Sequence, residues 1–229
     1  MPCYGPLQAY YPKRGSSDRR LVFKKSDSET GIPLRIPCGK CPGCRLEQSR
    51  QWAVRCMHEK RLHNAASFLT LTYEKMPPGG SLVLSDYQNF LKKLRNRYAG
   101  PGLRFFGCGE YGSQTQRPHY HMLLLNTDFN DRKLIKSGPE YNLYESALLS
   151  RLWPMGNHAI GSVTFDSCAY VARYCTKKIT GPNAAAHYKG RSPEFLVMSR
   201  RPGIDTAYVE KYASEMYAHD NVVINGAVS

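Results

Sequence analysis

Apolar positions change period along this chain, and the changes mark its elements. Beyond Cys44, Leu46, Ala53, Val54, Met57 and Leu62 recur at helical spacing with Arg and Glu between them, which predicts a helix. Ser67-Phe68-Leu69-Thr70-Leu71-Thr72-Tyr73 alternates instead and reads as a strand, closed by Met76-Pro77-Pro78-Gly79-Gly80. Ser85 stands where an N-cap would, before a helical face of Tyr87, Phe90, Leu91, Leu94 and Tyr98 that Gly100-Pro101-Gly102 stops. Leu103–Cys108 and His119–Leu125 read as two strands, and the turn-rich stretch between them makes an antiparallel pair the natural arrangement. A weaker helical pattern covers 140–151, and Ala159–Phe165 reads as a strand. Asp166 or Ser167 can then cap a helix running to about Lys178. After Gly181 only Thr206–Tyr217 carries a helical pattern, and no segment repeats.

Residues 1–37 are different: five prolines and the polar run 24–31 predict an irregular arm, with a short strand near Leu21-Val22-Phe23. The order of elements predicts an α+β fold, a central antiparallel sheet with helices packed on its faces. A Cys-rich knuckle precedes it. The expected division is an arm over 1–45 carrying the knuckle and packed on the core, a sheet-bearing domain over 46–182, and a C-terminal extension over 183–229 of unknown role.

Composition narrows the classes. Of 229 residues 41% are hydrophobic, enough for a core and too many for general disorder. No apolar run is long enough to span a membrane, and Met1-Pro2-Cys3-Tyr4-Gly5 lacks the layout of a secretory signal. Lys and Arg number 32 against 18 Asp and Glu, a net charge of +14, so an anionic partner is expected and nucleic acid leads. Arg45, Arg50, Arg55, Lys60 and Arg61 fall on the first helix and Lys92, Lys93, Arg95 and Arg97 on the second, a set that can supply salt-dependent phosphate contacts. Arg117 and Arg173 join them as DNA-binding candidates, and Tyr111, Tyr120 and Trp153 are the candidates for base stacking.

Three clusters can carry chemistry. In Arg117-Pro118-His119-Tyr120-His121 the two histidines share a strand face, where they can hold one divalent cation, although an arbitrary His-x-His is more often plain packing or surface. Glu110, on the other side of the hairpin, can add a carboxylate; an N/N/O set with open positions suits Mg²⁺ or Mn²⁺. In Tyr170-Val171-Ala172-Arg173-Tyr174-Cys175-Thr176-Lys177-Lys178 the tyrosines are i and i+4 on a helix, with Lys177 and Lys178 one turn on. Phosphodiester chemistry could use a hydroxyl to attack phosphorus and a cation to stabilise the charge or help take the proton. Cys38, Cys41 and Cys44 give three thiols at knuckle spacing, which Cys3 or Cys56 could complete into a Zn²⁺ site; a redox triplet competes. Cys108, Cys168 and Cys175 read as buried small hydrophobes.

This pattern resembles the HUH endonuclease superfamily. Within it the chain is most similar to replication initiators of microviruses, the gokushovirus-like single-stranded DNA phages. Pro37–Arg45, Phe68–Tyr73, Gly109–Gly112 leading to Arg117–His121, and Tyr170–Lys178 carry the likeness. The resemblance implies an HUH-like fold and a nuclease domain over 46–182. It implies that His119, His121 and Glu110 hold a divalent ion, and that Tyr170 or Tyr174 attacks single-stranded origin DNA to leave a 5′-phosphotyrosine and a free 3′-hydroxyl. Lys177 or Lys178 would assist. It supports Cys3 as the fourth zinc ligand, and implies a phage-encoded protein in the cytoplasm of a host bacterium. No Gly-x-x-x-x-Gly-Lys-Ser/Thr loop occurs, so unwinding would fall to a host helicase, and synthesis to a DNA polymerase. Two other readings compete: a non-catalytic zinc-knuckle nucleic-acid-binding protein, and an HUH relaxase, transposase or plasmid initiator.

Overall fold

A computed structural model describes residues 3–15, 20–98, 102–139, 141–174, 178–179, 181–219, 223–224 and 227–228. The chain divides into two compact units, Met1–Gln48 and Ser49–Ser229.

In the first unit, β1 (Leu7–Ala9) pairs antiparallel with β2 (Leu34–Ile36). The strand expected near Leu21–Phe23 is not formed; Val22 makes only an isolated bridge to Tyr10. Tyr10 is buried and takes both backbone hydrogen bonds of that bridge, at 2.8 and 3.0 Å. Helix α1 (Pro42–Arg61) begins here, and its larger part belongs to the second unit.

The second unit is built on a seven-stranded antiparallel sheet. Its strands are β3 (Ala66–Thr72), β4 (Arg104–Tyr111), β5 (Pro118–Leu125), β6 (Arg132–Lys136), β7 (Leu143–Ser146), β8 (His158–Gly161) and β9 (Phe195–Met198). They lie in the order β6-β7-β8-β3-β5-β4-β9. The fold is therefore mixed α+β with a large antiparallel sheet, as expected.

Strand alternation gives the sheet two different faces. Leu69, Leu71, Phe105, Tyr120, Met122 and Leu124 form one core with Tyr87, Phe90, Leu91 and Leu94 of α2 (Leu84–Arg97), joined by Leu149 and Leu152 of α3 (Ala147–Leu152). Phe106, Cys108, Leu123 and Leu125 form the other core with Ala53, Cys56 and Met57 of α1 and Cys168, Val171 and Ala172 of α4 (Phe165–Tyr174). Short α5 (Ala184–Tyr188), α6 (Thr206–His219) and the strand pair β10 (Val223–Ile224) and β11 (Ala227–Val228) complete the described elements.

A buried polar clasp ties α1 to the segment entering α6. Arg104 donates to Glu59 at 2.6 Å and to the carbonyls of Pro202 and Gly203, while Glu59 also accepts from the Asp205 N–H at 2.8 Å. The region from 183 on thus contributes an edge strand and a clasped helix to this unit.

Several boundaries depart from the pattern. Helix α2 starts at Leu84 with Val83 at its N-cap, not Ser85, because the Tyr120 hydroxyl reaches from the sheet and bonds both backbone groups of Val83. The weak helix over 140–151 splits into β7 and α3, with Ser146 capping α3 through a bond from the Leu149 N–H. Strand β8 ends at Gly161, and α4 starts at Phe165 rather than beyond Asp166 or Ser167. Thr164 and Ser167 exchange backbone-to-side-chain bonds of 2.9 and 3.1 Å, a reciprocal cap. Helix α4 is described to Tyr174, and Cys175, Thr176 and Lys177 lie outside the described residues. Among the described residues, no helix is long and apolar enough to cross a membrane.

Candidate metal and tyrosine site

The β4–β5 hairpin sets Glu110 opposite His119 and Cys108 opposite His121. The turn closes through Gly112 N–H to Arg117 O at 3.0 Å and Gln116 N–H to Gly112 O at 2.9 Å. Glu110, His119 and His121 therefore share the face covered by α1 and α4. Glu110 Oε1 lies 2.7 Å from His119 Nε2 and 2.9 Å from His121 Nε2.

The surroundings decide what this trio can hold. The Arg117 carbonyl can only accept, so the His119 Nδ1 beside it at 3.1 Å carries the proton. The other nitrogen of that ring, like Nε2 of His121, faces Glu110 Oε1, so one carboxylate oxygen gathers both imidazoles at a single point. Burial first of all lowers the pKa of His121 and keeps it neutral, although the Glu110 carboxylate pulls the other way. Burial pushes Glu110 up, but the hydrogen bonds from both histidines outweigh it and hold the carboxyl below its usual range. Two imidazoles, one of them kept neutral by burial, and an ionised carboxylate make a donor set that could hold a divalent ion.

Helix α4 brings both tyrosines to this trio. The Tyr170 hydroxyl donates to the same Glu110 Oε1 at 3.2 Å, and its ring stands edge-on to His121 with centroids 5.0 Å apart. Tyr174 stacks on His121 with centroids 6.2 Å apart and meets Tyr170 edge-on at 4.8 Å. Their exposures differ: Tyr170 is 36% accessible and Tyr174 8%. Burial raises both phenols above their ordinary range; for Tyr170 the Tyr174 hydroxyl and the Glu110 charge raise it further. Neither is ionised at neutral pH, so a phenolate here must be made at the moment of reaction.

With this geometry described, the comparisons carry weight. The family "Replication-associated protein ORF2/G2P" matches residues 66–179, a span that holds Glu110, His119, His121 and both tyrosines. The chain is 32% identical to Replication-associated protein ORF2 of Spiroplasma virus 4, covering 98% of this chain and 75% of that one. It is also 32% identical to Replication-associated protein VP4 of Bdellovibrio phage phiMH2K, over 99% of this chain and 73% of that one. The chain belongs to this family of phage replication-associated proteins. Replication-associated protein ORF4 of Chlamydia phage 1 is 28% identical over 83% of this chain and 50% of its own length. No solved structure matches the chain.

Around the trio, this replication-associated protein adds residues that sequence reasoning passed over. Thr70 Oγ1 sits 3.1 Å from His121 Nδ1, and Phe68 stacks on the His121 ring at 5.5 Å. Both come from β3, which pairs Thr70 with His121 in register. Their signal was the alternation of residues 67–73, unreadable as a site until the pairing of β3 with β5 was known.

The structure divides the basic candidates. Arg50 and Arg55 are exposed on α1 and Arg173 on α4, and the Ser49 hydroxyl bonds the Ala169 carbonyl between those two helices at 2.8 Å. Arg55 also covers the Trp52 ring at 4.9 Å. Arg117 stands at the hairpin mouth, donating to the carbonyls of Tyr73 and Glu74 at 2.8 and 3.1 Å. Lys92 and Lys93 are exposed on α2, over the opposite face of the sheet. Lys178 is exposed, and Lys177 lies outside the described residues.

The stacking candidates are overturned. Trp153 and Tyr120 are fully buried, with Trp153 Nε1 donating to the Thr72 carbonyl at 3.0 Å and the Tyr120 hydroxyl bonded to Tyr73 at 2.7 Å. Tyr111 is buried too, its hydroxyl donating to the Ser192 carbonyl at 2.7 Å.

In the first unit, Cys3, Cys38, Cys41 and Cys44 gather with all sulfurs within 4.8 Å of one another. Cys38 and Cys44 sulfurs are 4.0 Å apart and those of Cys3 and Cys41 3.9 Å. A tetrahedron with Zn–S of about 2.3 Å has edges of about 3.8 Å, so the group could hold such an ion. Backbone N–H groups of Tyr4, Cys38, Cys41 and Cys44 point at these sulfurs from 3.3–3.5 Å. Cys41 is brought down to about 6 by the Tyr4 and Cys44 amides, while burial pushes Cys44 up to about 12. Cys3, not Cys56, completes the group; Cys56 is packed in the core with Ala53 and Phe106. Arg45 is exposed on α1 just beyond Cys44.

Proposed function

We propose that this chain is an HUH-type, site-specific single-stranded DNA endonuclease and strand transferase that starts and ends rolling-circle replication of a small phage genome. The observation that carries the reading is the convergence of Tyr170 and Tyr174 on the Glu110–His119–His121 trio.

Glu110, His119 and His121 would hold Mg²⁺ or Mn²⁺, and the ion would supply Lewis-acid polarisation of the scissile phosphate. The chain's own residues do the rest. Tyr170 is the first nucleophile, because it is the accessible tyrosine and its hydroxyl already lies at the trio. Its oxygen bonds to phosphorus as the bond to the 3′-oxygen breaks. The phenolic proton leaves the tyrosine and the departing 3′-oxygen is protonated, giving a 5′-phosphotyrosine and a free 3′-hydroxyl for a host polymerase. Lys177 and Lys178 stabilise the charge that develops on the phenolic oxygen. The phosphotyrosine conserves the bond energy, so Tyr174 can cut the regenerated origin while the released 3′-end rejoins the first strand. The four thiols bind structural Zn²⁺, and basic residues of α1 and α4, with Arg117, guide the strand. The setting is the cytoplasm of an infected bacterium, where a host helicase unwinds the duplex.

The test incubates the protein with Mn²⁺ and a pool of circular single-stranded DNA carrying candidate origins. The expected product is a protein–DNA adduct that survives detergent, disappears with EDTA and is absent from Tyr170→Phe/Tyr174→Phe. Tyr174→Phe keeps the first adduct and Tyr170→Phe loses it. Absence of any adduct with every metal, while tight salt-dependent binding persists, would move the assignment to a non-catalytic zinc-knuckle protein.

A further inference from the structure

Burial removes Tyr111, Tyr120 and Trp153 from base stacking, yet an unpaired strand needs aromatic faces if it is to be held by more than its phosphates. Large exposed aromatic rings do occur in the first unit. Tyr11 is 61% accessible and Phe23 62%. They follow directly on the bridged pair Tyr10 and Val22. Each ring is thus one residue from the same bridge, on the two segments that the bridge joins.

Lysines adjoin both segments. The Lys13 N–H bonds the Asp27 carbonyl at 3.2 Å and the Glu29 N–H bonds the Tyr11 carbonyl at 3.4 Å, which sets the turn Lys25–Asp27 beside Tyr11 and Lys13. Lys24 and Lys25 follow Phe23 directly, and Lys24, Lys25 and Lys13 have solvent-facing side chains. Of the neighbouring acids, Glu29 is engaged by Arg14 at 3.0 Å and Asp27 accepts from the Ser26 hydroxyl at 3.0 Å. Residues 1–48 carry nine Lys and Arg against four Asp and Glu.

We infer that Tyr11 and Phe23, flanked by Lys13, Lys24 and Lys25, form a second binding site, separate from the tyrosine site, for the bases and phosphates of an unpaired DNA strand. The charge selects a polyanion. The exposed ring faces select an unpaired strand, because a duplex keeps its base faces stacked on each other. That the strand is DNA rests on the function proposed above; the stacking itself does not.

The test uses the full chain in the Tyr170→Phe/Tyr174→Phe background without divalent metal, so binding is read whether or not nicking occurs. Fluorescence anisotropy with a labelled mixed-sequence single-stranded oligonucleotide is followed across salt concentration. Tyr11→Ala/Phe23→Ala is expected to lose on the order of ten-fold in affinity with the salt slope unchanged. Tyr11→Phe/Phe23→Tyr is expected to keep it. Lys24→Ala/Lys25→Ala is expected to lower the salt slope by about 1.4. A duplex of the same sequence should bind the parent and the Tyr11→Ala/Phe23→Ala protein alike, and an RNA strand of that sequence should show the same ten-fold loss. Unchanged single-strand affinity in Tyr11→Ala/Phe23→Ala would overturn the site, as would an equal loss on duplex. Failure to nick an origin would overturn the function proposed above and leave this result standing.

Discussion

Two tyrosine pairs lie on opposite faces of one sheet, and they differ in what their hydroxyls still have to give. Tyr73 and Tyr120 lie 2.7 Å apart at their oxygens. Tyr73 also donates to Asp86 at 2.7 Å, and Tyr120 bonds both backbone groups of Val83. Both rings belong to the α2 core. Tyr170 and Tyr174 make a similar pair over a carboxylate, but Tyr170 is open to solvent and its partner is a potential metal ligand. The same side chain holds a fold together where its bonds are saturated and buried. It can serve chemistry where one side is open and the neighbouring charge is not yet committed.

The contrast can be broken most sharply on the α4 side. Tyr170→Phe/Tyr174→Phe is expected to drop adduct formation to background in a gel assay while the melting temperature moves little. A large loss of stability would put this pair in the same structural role as the other. The next largest effect is on the α2 side. A Cβ on Gly107 would overlap the Tyr87 hydroxyl and come within 2.6 Å of the His121 carbonyl oxygen. Gly107→Ala is therefore expected to cost about 3 kcal/mol in urea unfolding.

Tyr120→Phe follows, at about 1–3 kcal/mol, because it takes a partner from the half-buried backbone groups of Val83 and from the buried Tyr73 hydroxyl. Its folded fraction should still form the adduct, which separates the two pairs directly.

The smallest effect concerns a buried carboxylate on the α1 side of the sheet. Burial pushes the pKa of Glu59 up, but the Arg104 guanidinium, the Asp205 N–H and His63 together outweigh it and the net pKa is depressed. The unfolded chain therefore takes up the proton first. The stability Glu59 contributes is complete above its ordinary value of about 4.3 and fades as pH falls through the lower folded value. The gap in melting temperature between the parent and Glu59→Gln should be widest near neutral pH and close in acid. A gap that does not change with pH would remove the clasp from acid sensitivity.

Much of this was legible because strong local patterns coincide with tight constraints. Alternation through His119 and His121 fixes their common face, and a short turn brings Glu110 across the ladder. The i, i+4 spacing of Tyr170 and Tyr174 and the Cys38-x-x-Cys41-x-x-Cys44 run are local as well. The same alternation sends Tyr120 to the opposite face, so its exclusion from stacking was also in the pattern. What escaped was tertiary. The four residues Phe195–Met198 show no alternation, and only their place beside β4 makes them a strand. Val83 caps α2 because a hydroxyl arrives from another element, which no local preference reports. Thr70 and Phe68 join the site through a strand register that local sequence does not encode.

The place of β9 also sets a clock. Strand β4, which carries Glu110, lies between β5 and β9, and β9 is made roughly eighty residues after β4 ends. At about 5–20 residues per second, the ribosome takes on the order of 4–17 s to deliver that last neighbour. Until then one edge of the strand bearing the carboxylate is unpaired, so the sheet around the Glu110–His119–His121 trio is complete only when nearly the whole chain has been made.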